Sequence, residues 1–217
     1  MVVLQKELKL LIWQQEQITA LQQVSLVITK GRFHVIKGHS GSGKSTLLNI
    51  IGLLDQPTKG DVYIEGKKVS QLSIQAKALL RMKYIGFAFQ EFHLNETLRA
   101  YENVMVPMFI NPHIPSDQME ETACTLLEKV GLQNRIKHYP KELSGGEKQR
   151  GSIARALAND PVCILADEPT GSLDLENERL VLEILKDLSL QGKSIVVVSH
   201  GQEALQYADQ IFFHQSK

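Results

Sequence analysis

Residues 33–54, FHVIKGHSGSGKSTLLNIIGLL, run from a short apolar segment through a glycine-rich turn into a helix-patterned one, and few folds accommodate that order. Gly38, Gly43, Lys44 and Ser45 fit the spacing G-x-x-x-x-G-K-[ST] in its required setting of strand, loop and helix. A chance match in 217 residues is on the order of 1%. The pattern suits a polyanion. Glycines let backbone N–H groups turn inward around phosphate oxygens, and the helix N-terminus adds its positive end. Lys44 can reach the terminal phosphates, and Ser45 can ligate Mg²⁺. The helix that follows is expected to run through TLLNIIGLL until Asp55 and Pro57.

Short β-branched or aromatic runs recur along the chain: VSLVIT, FHVIK, DVYIEG, YIGFAF, VCILA, SIVVVS and QIFFH, with helical patterns between most of the later ones. This alternation predicts an α/β fold with a mainly parallel sheet. VSLVIT and DVYIEGKKV, the latter with its Glu65-Gly66 turn, lie too close in the chain for helical crossovers and are expected to form an antiparallel side sheet. Strand signals stop between Glu91 and Glu142. There Met119, Ala123, Leu126, Leu127 and Val130 share one helical face, with Ser116 as cap and Gly131 as stop, and Pro107, Pro112 and Pro115 break up the stretch before it into a constrained loop. The expected organisation is a single domain over 1–217: a core from 1–90 and 143–217, and an inserted helical lobe over 91–142.

Composition narrows the partners. Lys+Arg and Asp+Glu both count 24, which leaves no broad basic field for a nucleic-acid backbone, so no nucleic-acid partner is expected. No apolar run approaches the ~18 residues of a membrane crossing, and the N-terminus lacks a signal-peptide pattern, so a cytosolic chain is expected. Cys124 and Cys163 lie far apart in apolar-periodic stretches and read as reduced, packed thiols.

Kinases, GTPases and transport ATPases all carry such a phosphate loop, and the reaction must be read elsewhere. VCILADEP, residues 162–169, is an apolar strand ending in two adjacent carboxylates. Taken alone it could be a buried strand ending in solvated acids. Paired with a phosphate loop, Asp167 is placed to hold Mg²⁺ through water, and Glu168 to orient or deprotonate an attacking water. That pairing favours hydrolysis over transfer to an acceptor. Residues 143–150 read LSGGEKQR. Ser144 and Glu147 form a capping box, with Ile153, Ala156 and Leu157 as the buried face of the helix. A cap needs neither Gly145 nor Gly146, and each glycine weakens the first turn by about 1 kcal/mol relative to alanine, so something must approach this backbone closely. A helix N-terminus with a serine hydroxyl and bare glycine amides is a second anion site.

With these residues in view, the chain resembles the nucleotide-binding subunits of ABC transporters, whose signature is LSGGE. The resemblance covers essentially the whole chain. In the family's order come GHSGSGKS, Gln90 ending YIGFAFQ, LSGGEKQR, CILADE, then Ser172, Leu173 and Asp174, and His200 in VVVSH. It implies the ABC ATPase fold, a phosphate-loop NTPase core with an antiparallel β side sheet and an inserted helical subdomain. It also implies two copies packed head to tail as a homodimer, each ATP lying between the phosphate loop of one and the signature of the other.

Carried over residue by residue, the resemblance implies that ATP is bound by Gly38, His39, Ser40, Gly41, Ser42, Gly43, Lys44, Ser45 and Thr46, with the adenine stacked on Trp13. Ser45 and Gln90 would ligate Mg²⁺, with Asp167 supporting the metal. Glu168 would be the general base, and Lys44, Gln90 and His200 would act at the terminal phosphate. Ser144, Gly145, Gly146 and Glu147 would close the other copy's site, and Asp174 would join the two sites. Arg99, Arg150 and Arg155 read as solvated or structural.

The chain ends soon after QIFFH, which reads as a minimal cassette. IGFAFQEFHL, YENVMVPM and LADEPTGSLD are similar to the subgroup serving lipoprotein release, macrolide or peptide efflux and antimicrobial-peptide resistance. That resemblance implies integral membrane permease partners, a peripheral place on the cytoplasmic face of the membrane, and no direct contact with transported cargo. The rival is an ABC-type ATPase acting on DNA or ribosomes. Such relatives carry a long coiled coil between the two anion sites, zinc cysteines or two cassettes per chain, none of which is present here.

Overall fold

The computed structural model describes residues 2–13, 16–22, 24–39 and 41–213, with the backbone alone described for 2–13, 16–20 and 22. Strands β1 (Val2–Trp13), β2 (Glu16–Gln22) and β3 (Leu26–Ile28) come first. They are followed by β4 (Phe33–Lys37), α1 (Lys44–Ile51), β5 (Lys59–Ile64), β6 (Lys67–Lys68), α2 (Ile74–Tyr84) and β7 (Ile85–Phe89). Helices α3 (Ala100–Met105), α4 (Met119–Lys129) and α5 (Gly145–Ala156) precede β8 (Cys163–Asp167). The chain then runs through α6 (Leu175–Leu190), β9 (Ser194–Ser199), α7 (Glu203–Gln206) and β10 (Gln210–Phe213).

The parallel sheet has the order β10-β4-β9-β8-β7. Its strands read as unbroken apolar runs because both faces are covered, as parallel sheets require. The period-2 pleat divides them: Ile195 and Val197 of β9 join the core formed with α3 to α6, whereas Val196 and Val198 join the core containing Leu47, Leu48, Ile50 and Ile51 of α1. At Gly86 of β7 the sheet meets the end of α5 so closely that a Cβ would lie 2.1 Å from the Ala156 carbonyl oxygen.

The antiparallel side sheet is present, with a different centre from the one the sequence suggests. β3 and β5 each pair with β1, which also pairs with β2. The two N-terminal strands were not among the runs read from the sequence, since QKELKLL shows no clean alternation and its extended state is fixed by three partners elsewhere in the chain. VSLVIT contributes only Leu26–Ile28. The helix after the phosphate loop stops at Ile51, a turn earlier than expected, where Leu53 turns to φ 58°.

Among the described residues no strand lies between β7 and β8. α4 buries Met119, Ala123, Leu126 and Leu127, the face expected. Its cap differs: Ser116 opens a 3₁₀ turn through Gln118, and Gln118 precedes α4 without a side-chain cap. The stretch before it also contains α3, anchored by Asn103, whose amide donates to the carbonyls of Asn95, Leu98 and Arg99 and whose oxygen accepts from the Asn95 N–H. Both cysteines are free, and burial pushes the Cys163 thiol up to about 12.

His34, fully buried in β4, has both ring nitrogens committed. Nε2 accepts from the Thr29 N–H at 3.1 Å, so Nδ1 carries the proton and donates to the Ile195 carbonyl at 3.1 Å. Burial lowers its pKa below the ordinary 6.5, against smaller raising contributions from its hydrogen bonds and Asp209. A lowered folded-state pKa gives stability that is present above the unfolded pKa and lost as pH falls through the folded one. Denaturant unfolding is therefore expected to lose up to ~1.4 kcal/mol per pH unit as pH drops below about 6.5, a slope that His34→Gln reduces.

Candidate functional site

Parallel pairing places the C-terminal ends of four neighbouring strands in one row. Lys37 of β4 is in register with Ser199 of β9, Asp167 of β8 with Val198 of β9, and Phe89 of β7 with Asp167. Beyond those ends come the glycine-rich loop, His200, Glu168 and Gln90. The carboxyl edge of an open α/β sheet is where such folds bind ligands.

After β4 the backbone turns through Gly41 at φ 76° and Gly43 at φ 92°, left-handed conformations in which a side chain would be strained. Gly43 caps α1 with no side-chain acceptor, which leaves first-turn N–H groups for an anion. Lys44 is 7% exposed, and its ammonium donates to the carbonyls of Gly38 at 3.0 Å and His39 at 2.8 Å, which hold it across the loop. The Ser42 hydroxyl is buried without a partner among the described residues. Ser40 lies outside the described residues, as does the side chain of Trp13, so the adenine contact rests on the sequence.

The two acids face different neighbours. Burial pushes the Asp167 carboxyl above the usual carboxylate range, and the Glu168 charge adds to this, while the Ser45 hydroxyl and the Lys44 charge oppose it. Its Oδ1 is buried with no hydrogen-bond partner among the described residues. A desolvated carboxylate oxygen beside a serine hydroxyl is a fitting neighbour for a hard cation. Glu168 sits at φ 45°, outside the usual region for a side-chain-bearing residue, and its N–H donates to the Val198 carbonyl at 2.9 Å. The turn presents Oε1 to His200 Nδ1 at 2.9 Å, with the His200 N–H 3.4 Å from Oε2. Gln90 lies exposed just past β7, its amide 3.2 Å from where a Cβ on Gly171 would be.

The second anion site expected from the sequence falls at the start of α5. The Ser144 hydroxyl accepts from the Glu147 N–H at 3.2 Å, and Glu147 Oε2 accepts from the Ser144 N–H at 2.8 Å, so the capping box is formed. Glu147 Oε1 is 2.8 Å from Arg135 Nε. Burial raises the Glu147 pKa, but these bonds outweigh it and hold the carboxyl below the usual range. The Ser144 oxygen accepts in the cap and keeps its proton free to donate to an anion. Asp174 caps α6 by accepting from the Asn177 N–H at 2.9 Å.

α1 packs on one face of the parallel sheet and α5 on the other. No hydrogen bond or ion pair among the described residues joins 38–46 to 143–147.

Two residues escaped the sequence reading as parts of the site. Arg155, at the end of α5, donates to the Phe92 carbonyl at 2.8 Å, to the His93 carbonyl, and to Ser152 Oγ at 3.4 Å. It clamps two successive residues with positive φ, Phe92 at 55° and His93 at 49°, one residue beyond Gln90. Asn177 lies against Gly146. Neither carries a motif signal, since each acts on backbone far away in sequence.

A family model described as ABC transporter matches residues 21–171. An uncharacterized ABC transporter ATP-binding protein of Methanocaldococcus jannaschii is 50% identical over 88% of this chain and 85% of that protein. The macrolide export ATP-binding/permease protein MacB of a Shewanella species is 43% identical over 91% of this chain but only 30% of its own length. Among solved structures, the dimeric post-hydrolysis state of the ATP-binding cassette MJ0796 bound to ADP and Pi is similar with a TM-score of 0.91 and 40% identity. That likeness covers 99% of this chain and 94% of the other.

Replacing Arg155 by Met leaves the Phe92 and His93 carbonyls without their donor. It is expected to lower stability by about 1–3 kcal/mol, read from urea unfolding.

Proposed function

Because the chain belongs to the ABC transporter ATP-binding family, we propose that it is the ATP-hydrolysing subunit of a membrane exporter, and that ATP closes two copies head to tail. The observation that supports this is that α1 and α5, whose N-termini read as two anion sites, pack on opposite faces of one sheet. The relative MJ0796 is dimeric with ADP and Pi, which supports the same assembly here. In it, Lys44 and the amides of the loop hold the phosphates of one ATP, and Ser144 with the Gly145 and Gly146 backbone of the second copy meets the terminal phosphate from the far side. Asp174 lies at the junction.

Ser45 and Gln90 would hold the Mg²⁺ that accompanies the nucleotide, with Asp167 beside it, and the ion would supply charge neutralisation on the phosphates. Glu168 takes the proton of the water that attacks the terminal phosphate. His200, within 2.9 Å of Glu168 Oε1, orients that carboxylate and contacts the phosphate. The phosphate passes to water, and loss of its contacts with the second copy's signature reopens the dimer.

No helix among the described residues is long and apolar enough to cross a membrane. MacB carries ATP-binding and permease parts in one protein, of which this chain spans 30%. We infer an integral membrane permease as its partner. We read residues 91–142 as the helical lobe that it contacts, with the chain peripheral on the cytoplasmic face. A groove of about 390 Å³ lined by Phe89, His93, Val106, Pro107, Ile110 and Arg155 borders that lobe and suits an apolar helix end. Cargo is met by the permease.

Glu168→Gln keeps the shape of the carboxylate and removes its basicity. Phosphate release is expected to fall by about 10²–10⁴-fold, and size-exclusion chromatography with ATP should show a longer-lived dimer. Unchanged turnover with no added dimer would refute the role assigned to Glu168.

A further inference from the structure

Gly146 is buried in the first turn of α5, and the group that buries it belongs to the same chain. A methyl built there would lie 2.0 Å from Asn177 Oδ1, 2.5 Å from its Cγ and 3.0 Å from its Cβ. The tip of a flexible side chain could swing away at little cost, but this one is pinned. Asn177 Nδ2 donates to both carboxylate oxygens of Asp174, at 3.1 and 2.9 Å, while its backbone N–H donates to Oδ1 at 2.9 Å. Its Cβ is fixed by α6. The amide is therefore held between the carboxylate that caps one helix and the bare Cα that starts another. Gly145 differs: a methyl there would meet only Leu173 Cδ2 at 3.5 Å, an ordinary contact. The two adjacent glycines are not equivalent, and only the second is the seat of a side chain.

We propose that Asn177 is a positioning residue that fixes Asp174 and the first turn of the signature helix against each other. This contact within one chain, rather than the approach of a nucleotide, is what forbids a side chain at Gly146. The proposal rests on the functional reading above, in which Ser144, Gly146 and Asp174 face the second copy's ATP. Through one amide, movement of the signature turn onto a phosphate is delivered to Asp174, so the two halves of the dimer interface move as a unit.

The test is a double-mutant cycle in the full chain: Gly146→Ala, Asn177→Ala and the pair, with Asn177→Asp alongside. Asn177→Ala keeps the backbone donor to Asp174 and favours the helix, so it should fold. Thermal unfolding is followed without nucleotide, and ADP affinity, ATP turnover and ATP-dependent dimerisation in a Glu168→Gln background are measured. Gly146→Ala alone should lose about tenfold or more in turnover and dimer stability, while the pair returns to within about threefold of Asn177→Ala alone, the scale of coupling between residues in contact. Asn177→Asp fills the same space but sets a negative charge against Asp174. It should lower turnover and dimerisation and leave ADP affinity unchanged.

If the pair is as impaired as Gly146→Ala, the glycine answers to something other than Asn177 and the proposal fails. Coupling in the unfolding midpoint with none in turnover or dimerisation would make the contact merely structural, and the positioning role would fail. A chain that neither hydrolyses ATP nor dimerises with it refutes the functional reading instead, before any change at 146 or 177. Coupling in the unfolding midpoint then still decides whether Asn177 excludes a side chain at Gly146.

Discussion

Burial of the parallel sheet on both faces is the constraint on which the rest of this structure depends. Ile195 to Val198 send alternate side chains into two separate apolar cores. The groups of the site lie where the strands end. Since β4, β9, β8 and β7 run the same way in near-level register, their ends deliver the loop, His200, Asp167 with Glu168, and Gln90 to one edge. The chemistry is gathered by hydrogen-bond register before any side chain makes a specific contact.

That edge holds groups in states they would not adopt in water. Asp167 is desolvated with one oxygen unmatched, Lys44 is bound by its own loop's carbonyls, and Glu168 occupies a left-handed backbone conformation. Each costs stability, and the closely packed sheet on either side is what supplies it. The positive φ at Glu168 also separates two adjacent acids. Without it, neighbours on one strand end would compete for the same partners; with it, Asp167 meets Ser45 and Lys44 while Glu168 meets His200.

Layering also bears on the proposed assembly. α1 packs on one face of the sheet and α5 on the other, and in the proposed function their N-termini serve nucleotides held by different copies. Links within the chain carry information between these places. Arg155 ties the segment after Gln90 to the far end of α5, and Asn177 ties Asp174 to its near end. One helix is thus gripped at both ends by the two segments that flank the acids.

The sequence by itself determined the phosphate loop, the parallel α/β core, the capping box at Ser144 and the buried face of α4. Each is written in residues a few positions apart, where backbone geometry leaves little choice. It also fixed the order of motifs from which the family could be read. Only the tertiary structure decided that β1 sits at the centre of the side sheet, because an extended segment without alternation takes its state from its partners. The same is true of what Gly146 is for. The glycine pair showed that something comes close, but the neighbour is a side chain thirty-one positions on, brought there by α6 packing beside α5, and no local pattern encodes that meeting.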